Sequence, residues 1–266
     1  MSVIVKYKNV LRELIRLRFQ KLMLFRIGVI GPFFVDGSMF GIQLLVFSAI
    51  YANVDAIGSW GRGEMILYIG SFSMLNAISM MVCFFGLVSI PGKIRSGDLD
   101  LYLTKPVSPL FRLSLENMSP GSGLLVVMSA LIIAYGVRVS DVGLCPGRVL
   151  AYLFWMMLMQ ILYYLLEVLI RTMTFYVLGN SRIEQIEEAS IEMCMQLPGI
   201  ALYGVYKIIF YYLLPYGMMA TLPVQSMIGE LTWQMALQGI FVVAGFGLLT
   251  GILWKRGLKR YNSASS

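Results

Sequence analysis

The 266-residue chain contains no histidine. That removes the commonest general base and a common metal ligand. Cysteine is scarce as well. Cys83, Cys145 and Cys194 stand far apart, with neither metal-site spacing nor a disulfide framework. No G-x-x-x-x-G-K-(S/T) stretch occurs, so the chain lacks the phosphate cradle that such a loop builds and cannot hydrolyse ATP by that chemistry. Charge is thin: 13% of residues carry it, against about 25% in soluble domains. No internal repeat interrupts the chain, and no polar stretch is long enough for a soluble domain.

Apolar residues fill the space that charge leaves. They make up 58% of the chain, and mean hydropathy is +0.77. This is the composition of a polytopic, all-helical membrane protein. The net charge is +7, but in such a chain the position of Lys and Arg matters more than their sum, because they mark cytoplasmic segments. Nucleic acid is not among the expected partners; membrane lipid is.

Hydropathy and charge together predict six spans with both termini cytoplasmic. Residues 1–30 form a basic amphipathic helix for the headgroup level. Val3, Tyr7, Val10, Leu11, Leu14 and Ile15 recur there at helical spacing among Lys6, Lys8, Arg12, Arg16, Arg18, Lys21 and Arg26. The charged region is too long for a cleavable signal. Gly31-Pro32 is expected to break the pattern. The transmembrane domain is 31–254, with spans at roughly 31–53, 65–89, 118–137, 149–170, 200–221 and 234–254. Outer loops at 53–64 and 138–148 hold Arg62, Arg138 and Arg148, the second span carries Cys83 as a small apolar filler, and a basic tail occupies 255–266.

Within this frame Asp36 reads as interfacial, near the cytoplasmic end of its span. Glu167 and Arg171 stand at i, i+4 in the order that favours a helix salt bridge. Residues 171–199, with Arg182, Glu184, Glu187, Glu188 and Glu192, read as a cytoplasmic helical segment. Pro215, Gly217 and Pro223 predict a broken or re-entrant end to the fifth span, tolerated only where protein or water covers the backbone. Gly247 and Gly251 make a lone GxxxG match, which permits close helix approach. Asn76, Gln160, Tyr211, Tyr212 and Tyr216 are candidates for lining a path, against the plainer reading of tyrosines as interface-belt residues.

The longest polar interruption in the first half is the loop 90–117. Lys93, Arg95, Asp98, Asp100 and Lys105 crowd into it. The local reading is a short helix with Asp98 as N-cap. Leu99, Tyr102 and Leu103 would share one face, and Pro106 would end the helix. Ser108-Pro109 reads as an N-cap and a first-turn proline.

The wording of this loop resembles the cytoplasmic loop of the bacterial six-span family of ABC type-2 exporter permeases. The likeness runs through Ile94, Arg95, Gly97, Leu99, Asp100, Leu103, Lys105, Pro106, Pro109 and Leu110. Gly257-Leu-Lys-Arg-Tyr-Asn-Ser-Ala264 is similar to the same family's terminus. Leu214-Pro-Tyr216 and Leu222-Pro-Val224 add to the likeness, which covers essentially the whole chain. The resemblance implies a membrane-spanning permease subunit, not itself an enzyme, in a bacterial cytoplasmic membrane. It implies two cytoplasmic ABC ATP-binding subunits, which would hold ATP and Mg2+, and a second permease copy or a paralogue. This chain would hold no cofactor or metal. The loop would be the coupling helix, with Ile94, Arg95, Asp98, Leu99, Asp100, Tyr102 and Leu103 meeting the ATPase. Other classes remain in view. A non-transporting membrane anchor or immunity subunit for an ATPase fits the same composition. An intramembrane enzyme would have to rely on Asp36 and Glu167, without histidine.

Overall fold

A computed structural model describes residues 3–24, 27–143, 145–177 and 181–261. It is helical throughout. Among the described residues the nearest thing to a strand is one isolated bridge between Ile57 and Trp60. Arg26 and residues 262–266, which include the last three residues of the terminal likeness, lie outside the described residues.

Among the described residues five helices are long and apolar enough to cross a membrane: Phe33–Ile50, Arg62–Val82, Pro120–Val139, Pro146–Phe175 and Trp233–Arg260. They belong to α2 (Ile27–Ile50), α3 (Arg62–Val82), α8 (Gly123–Val139), α9 (Pro146–Thr172) and α14 (Trp233–Arg260). α2 runs unbroken through Gly31-Pro32, contrary to expectation. Pro32 is the sixth residue of this helix, so the hydrogen bond to the Gly28 carbonyl is missing there and the helix continues past it. α3 and α8 pack closely because glycine lets their backbones approach. A Cβ at Gly136 would lie 2.6 Å from the Leu67 nitrogen, and one at Gly70 would lie 2.9 Å from that of Ile133.

The helix ends gather in two groups. At one end are the loops after α2, α8 and the segment before α14. Gly63 abuts Ser140 and Gly229 abuts the Arg148 guanidinium, while Trp60 Nε1 donates to Glu230 Oε2 at 3.3 Å. At the other end lie α4 (Phe84–Val88), α5 (Ile90–Ser96), α6 (Asp100–Leu103) and α7 (Pro109–Glu116). Leu87, Ile90, Leu99 and Leu113 form one buried cluster there with Val168 of α9 and Trp254 of α14. α1 (Val3–Leu24) rests on α7 at this end.

The expected fifth span over 200–221 does not form. A turn at Gly199–Ala201 leads to α11 (Gly204–Ile208), a π-helical turn at Ile209–Leu213, α12 (Tyr216–Met219) and α13 (Thr221–Ile228). This stretch leaves the Trp60 end beside Gly58, which abuts Ile200. Its two limbs close on each other: Gly199 lies against the Gly217 carbonyl and donates its N–H to Thr221 Oγ1 at 3.1 Å, the Tyr216 ring meets Tyr163 at 6.2 Å, and α13 runs along α9 to the Arg148 level. It is a hairpin rather than a crossing, and the broken character anticipated from Pro215 and Gly217 spreads over the whole of it.

The acidic segment 171–199 is helical, as expected, and its helix α10 (Ser181–Gln196) lies along the bundle. It starts near the last turn of α9, where Arg171 meets Glu187. It ends beside the first turns of α3, where Tyr68 Oη donates to the Cys194 carbonyl. Glu187, Ser190 and Cys194 are buried on its inner face. An acidic helix tolerates this place because Arg171 neutralises the carboxylate turned inward.

The α3–α8 glycine seam gives a first prediction. Gly136→Leu should force the two backbones apart and destabilise the detergent-solubilised protein by about 1–3 kcal/mol, the usual cost of overpacking. Gly245→Ala, at a position with open space around it, should leave the melting temperature unchanged or slightly higher. Size-exclusion survival after heating is the measurement.

Candidate functional site

Tyr102 is the centre of the loop end. Lys93 Nζ donates to its hydroxyl at 2.7 Å and to Glu116 Oε1 at 3.1 Å. The hydroxyl in turn donates to Glu116 Oε1 at 2.8 Å. Lys93 and Arg112 both lie over the ring, at 4.5 and 5.1 Å from its centroid, within cation–π range. α1 closes the knot from outside. Arg18 Nε donates to the Glu116 carbonyl at 2.6 Å, and its guanidinium also reaches the Asn117 side chain. The Ser108 N–H donates to Tyr7 Oη at 3.0 Å, and Tyr7 meets Phe111 edge-on at 4.9 Å. The half-buried Tyr7, Leu11 and Leu14 therefore face the chain's own loop.

Burial pushes the Glu116 carboxyl up. Hydrogen bonds from Tyr102 and Lys93, with the charges of Lys93 and Arg112, outweigh that and hold it below its usual value.

The loop residues expected to meet a partner divide sharply. Leu99 is fully buried and Tyr102 nearly so; both serve the chain's own core. The outward apolar side chains are Leu101, 64% exposed, and Leu103, 41% exposed. Arg95 and Asp98 are exposed, Ile94 and Asp100 half-buried. Asp98 caps nothing: it accepts from Ser96 Oγ at 2.6 Å, and α6 begins after it at Asp100. Gly97, at φ 81°, ends α5 in the left-handed region that favours glycine. α6 ends at Leu103, before Pro106 is reached. Ser108 precedes α7 without a side-chain cap. Leu101 escaped the sequence pattern because α6 is too short to set a helical phase.

A second polar cluster lies deep in the bundle. Arg171 meets Glu167 Oε2 at 3.1 Å, as the i, i+4 spacing predicts, and also pairs with Glu187 across from α10. Each carboxylate side chain is only 1% exposed. Tyr216 Oη donates to Glu187 Oε1 at 3.2 Å, and Tyr163 Oη donates to Asn76 Oδ1 at 3.3 Å. The candidate path residues are thus largely internal in this chain. Asn76 and Tyr216 belong to this network, and Tyr211 is buried against Gly199. Tyr212 is exposed on the hairpin. Gln160 lines an apolar cavity of about 280 Å³ with Cys83, Ser114 and Tyr164. Glu187 escaped notice because no spacing rule links it to Arg171 across the α9–α10 connection.

Two tests follow. Arg171→Met leaves two buried carboxylates without a counter-charge and should cost about 3–5 kcal/mol or prevent recovery of folded protein. Glu167→Gln should be far milder, since Glu167 Oε1 accepts no hydrogen bond among the described residues and Glu187 still neutralises Arg171. Recovery after solubilisation reads the difference. For the knot, a carboxyl held below its usual value stabilises the fold above its unfolded pKa, and that contribution is lost as pH falls through the folded one. Thermal stability should therefore drop on acidification below the ordinary carboxylate value of 4.5, and Glu116→Gln should flatten that limb.

No match was found among curated proteins or solved structures. A model of the ABC-2 family transporter proteins matches residues 38–265, a range that begins inside the first candidate span and takes in the other four, the loop residues of the knot, the buried ion cluster and the hairpin. The chain belongs to the ABC-2 family of transporter membrane proteins.

Proposed function

We propose that this chain is the permease half of an ATP-driven exporter in a bacterial cytoplasmic membrane. Family membership establishes a membrane transport component; direction, coupling and partners are our reading. α10 supplies the sixth crossing, antiparallel to α9, and the hairpin dips into the bundle from the outer side. The loop end is cytoplasmic. It carries Lys93, Arg95, Lys105, Arg112, Lys255, Arg256, Lys259 and Arg260, against Arg62, Arg138, Arg148 and the hairpin's Lys207 at the other end, the asymmetry of the positive-inside rule. With six crossings both termini lie in the cytoplasm, and α1 runs along the inner interface with the exposed Val5, Ile15 and Phe19 turned to lipid.

The observation that carries the coupling role is the contrast within α6. Its inner side chains are fixed by the Tyr102 knot, while Leu101 and Leu103 project from a rigid base at the basic end. A projecting apolar pair on a braced turn suits a groove in a soluble ATP-binding subunit. Two such subunits, holding ATP and Mg2+, would close on nucleotide and move α6, and the knot would hand that movement to α9 and α14 as a rigid-body shift. A second copy or a paralogue would complete the pathway.

In co-expression with the ATP-binding subunit, Leu101→Asp should leave membrane insertion and elution volume intact. Its ATPase recovery should fall roughly ten- to a hundredfold, the loss of one buried large apolar side chain. Leu99→Asp should instead unfold the loop end and lower recovery of the permease itself. Equal ATPase recovery with Leu101→Asp and wild type would reject docking through α6 and favour a plain membrane anchor.

A further inference from the structure

A groove of about 540 Å³ runs between α2 and α10, toward the ends of both helices that approach the hairpin. Its walls are mostly apolar, with Met39, Val46 and Phe47 from α2 and Met195 from α10. Three polar side chains interrupt them: Gln43, Glu192 and Gln196.

Gln43 is more than nine-tenths buried. Its Nε2 donates to the Met195 carbonyl. A carbonyl can only accept, so this bond fixes which way round the amide lies and turns Oε1 away from it. Oε1 is buried and accepts no hydrogen bond among the described residues. Glu192, on the facing helix, forms no ion pair with Lys or Arg among the described residues. Its partner is the Gln196 amide, which donates at 3.4 Å. An anionic carboxylate and an unfilled acceptor therefore line one apolar groove. With α10 as a crossing, as proposed above, an ionised Glu192 carboxylate would face hydrocarbon, which is unfavourable, as is a buried acceptor without a donor. One occupant relieves both: a cation bearing N–H groups, attached to an apolar body.

We propose that the α2–α10 groove binds an amphiphilic ammonium, with its charged head between Glu192 and Gln43 Oε1 and its apolar body against Met39, Val46 and Phe47. A second copy of the chain would bury the apolar walls but leave both polar groups unmatched, unless it brought a cation of its own. A transport role for this site rests on the exporter reading, since it would make cationic amphiphiles a substrate class.

The test uses the purified permease in nanodiscs of phosphatidylcholine and phosphatidylglycerol, without any ATPase. Loss of coupling in Leu101→Asp and loss of ligand binding here are thus separate results. The probe is monodansylcadaverine, an aromatic body ending in a primary ammonium. Its N-acetyl derivative keeps the body and removes the charge. Fluorescence titration should show saturable binding of the amine, and binding of the acetylated probe weaker by about tenfold or more, as expected for loss of a charge-assisted hydrogen bond. Glu192→Gln should weaken amine binding by a similar factor while leaving the acetylated probe unaffected. Gln43→Leu should do the same if it elutes as wild type does; if it does not, Glu192→Gln alone decides. Equal binding of both probes, or amine binding unchanged in Glu192→Gln, overturns the proposal. Full competition by added phosphatidylethanolamine supports the site and makes its occupant the ammonium headgroup of a lipid. Disulfide linkage of two copies through Val46→Cys, in a chain otherwise free of cysteine and with no amine binding, would assign the groove to a second copy.

Discussion

A guanidinium inside an apolar bundle has to keep its charge and therefore has to keep its partners, because an unpaired buried charge costs several kcal/mol. Arg171 meets that condition with two carboxylates on different helices, Glu167 one turn back on α9 and Glu187 on α10. The rest of the arrangement at this depth follows. α10 can bring an acidic face into the bundle because the charge is already waiting for it. The hairpin can turn at Tyr216 because that hydroxyl finds an acceptor in Glu187. Tyr163 fills the space beside it and satisfies its own hydroxyl on Asn76 of α3. Polar groups that would be liabilities singly are tolerable as a connected network.

The loop end answers the same problem differently. There the charges lie near the surface, so the Lys93–Tyr102–Glu116 knot owes its rigidity to convergence. One ring receives two cations on its faces and one hydroxyl joins a lysine to a carboxylate. Around it, Leu99, Leu113, Val168 and Trp254 join three regions of sequence. Phe175 completes the seam by stacking edge-on against both Trp254 and Tyr261, at 5.6 and 6.3 Å. This explains why a short α6, which has no helix stability of its own, is held in one place.

Long apolar runs were readable because lipid demands them: α2, α3, α8, α9 and α14 all fall where hydropathy places a span. The Glu167–Arg171 pair was readable because spacing on one helix determines proximity. The hairpin and α10 were not. Residues 200–221 are as apolar as a crossing helix, and only Pro215, Gly217 and Pro223 hint that the backbone turns. α10 looks soluble because its acids are counted, whereas the guanidinium that accommodates one of them lies on another helix. In the loop, the Leu99/Tyr102/Leu103 face was sought on a longer helix than forms. Gly97 resets the chain direction, so Leu99 and Tyr102 turn inward and Leu101 turns out. Long-range partners such as Tyr7 for Ser108, or Trp60 for Glu230, leave no local trace at all.

Glu187 holds two elements with one carboxylate: Arg171 on its Oε2 and the Tyr216 hydroxyl on its Oε1. The two partners belong to different elements, Arg171 to the helix that runs to the loop end and Tyr216 to the broken segment between α10 and α14. A side chain this short cannot follow one partner and keep the other if the two move apart. α10 is a rod of about 24 Å, pinned at its far end by Tyr68 on the Cys194 carbonyl. Twisting it about its axis therefore disturbs both grips together, and in mechanical terms Glu187 is a clutch plate rather than a hinge.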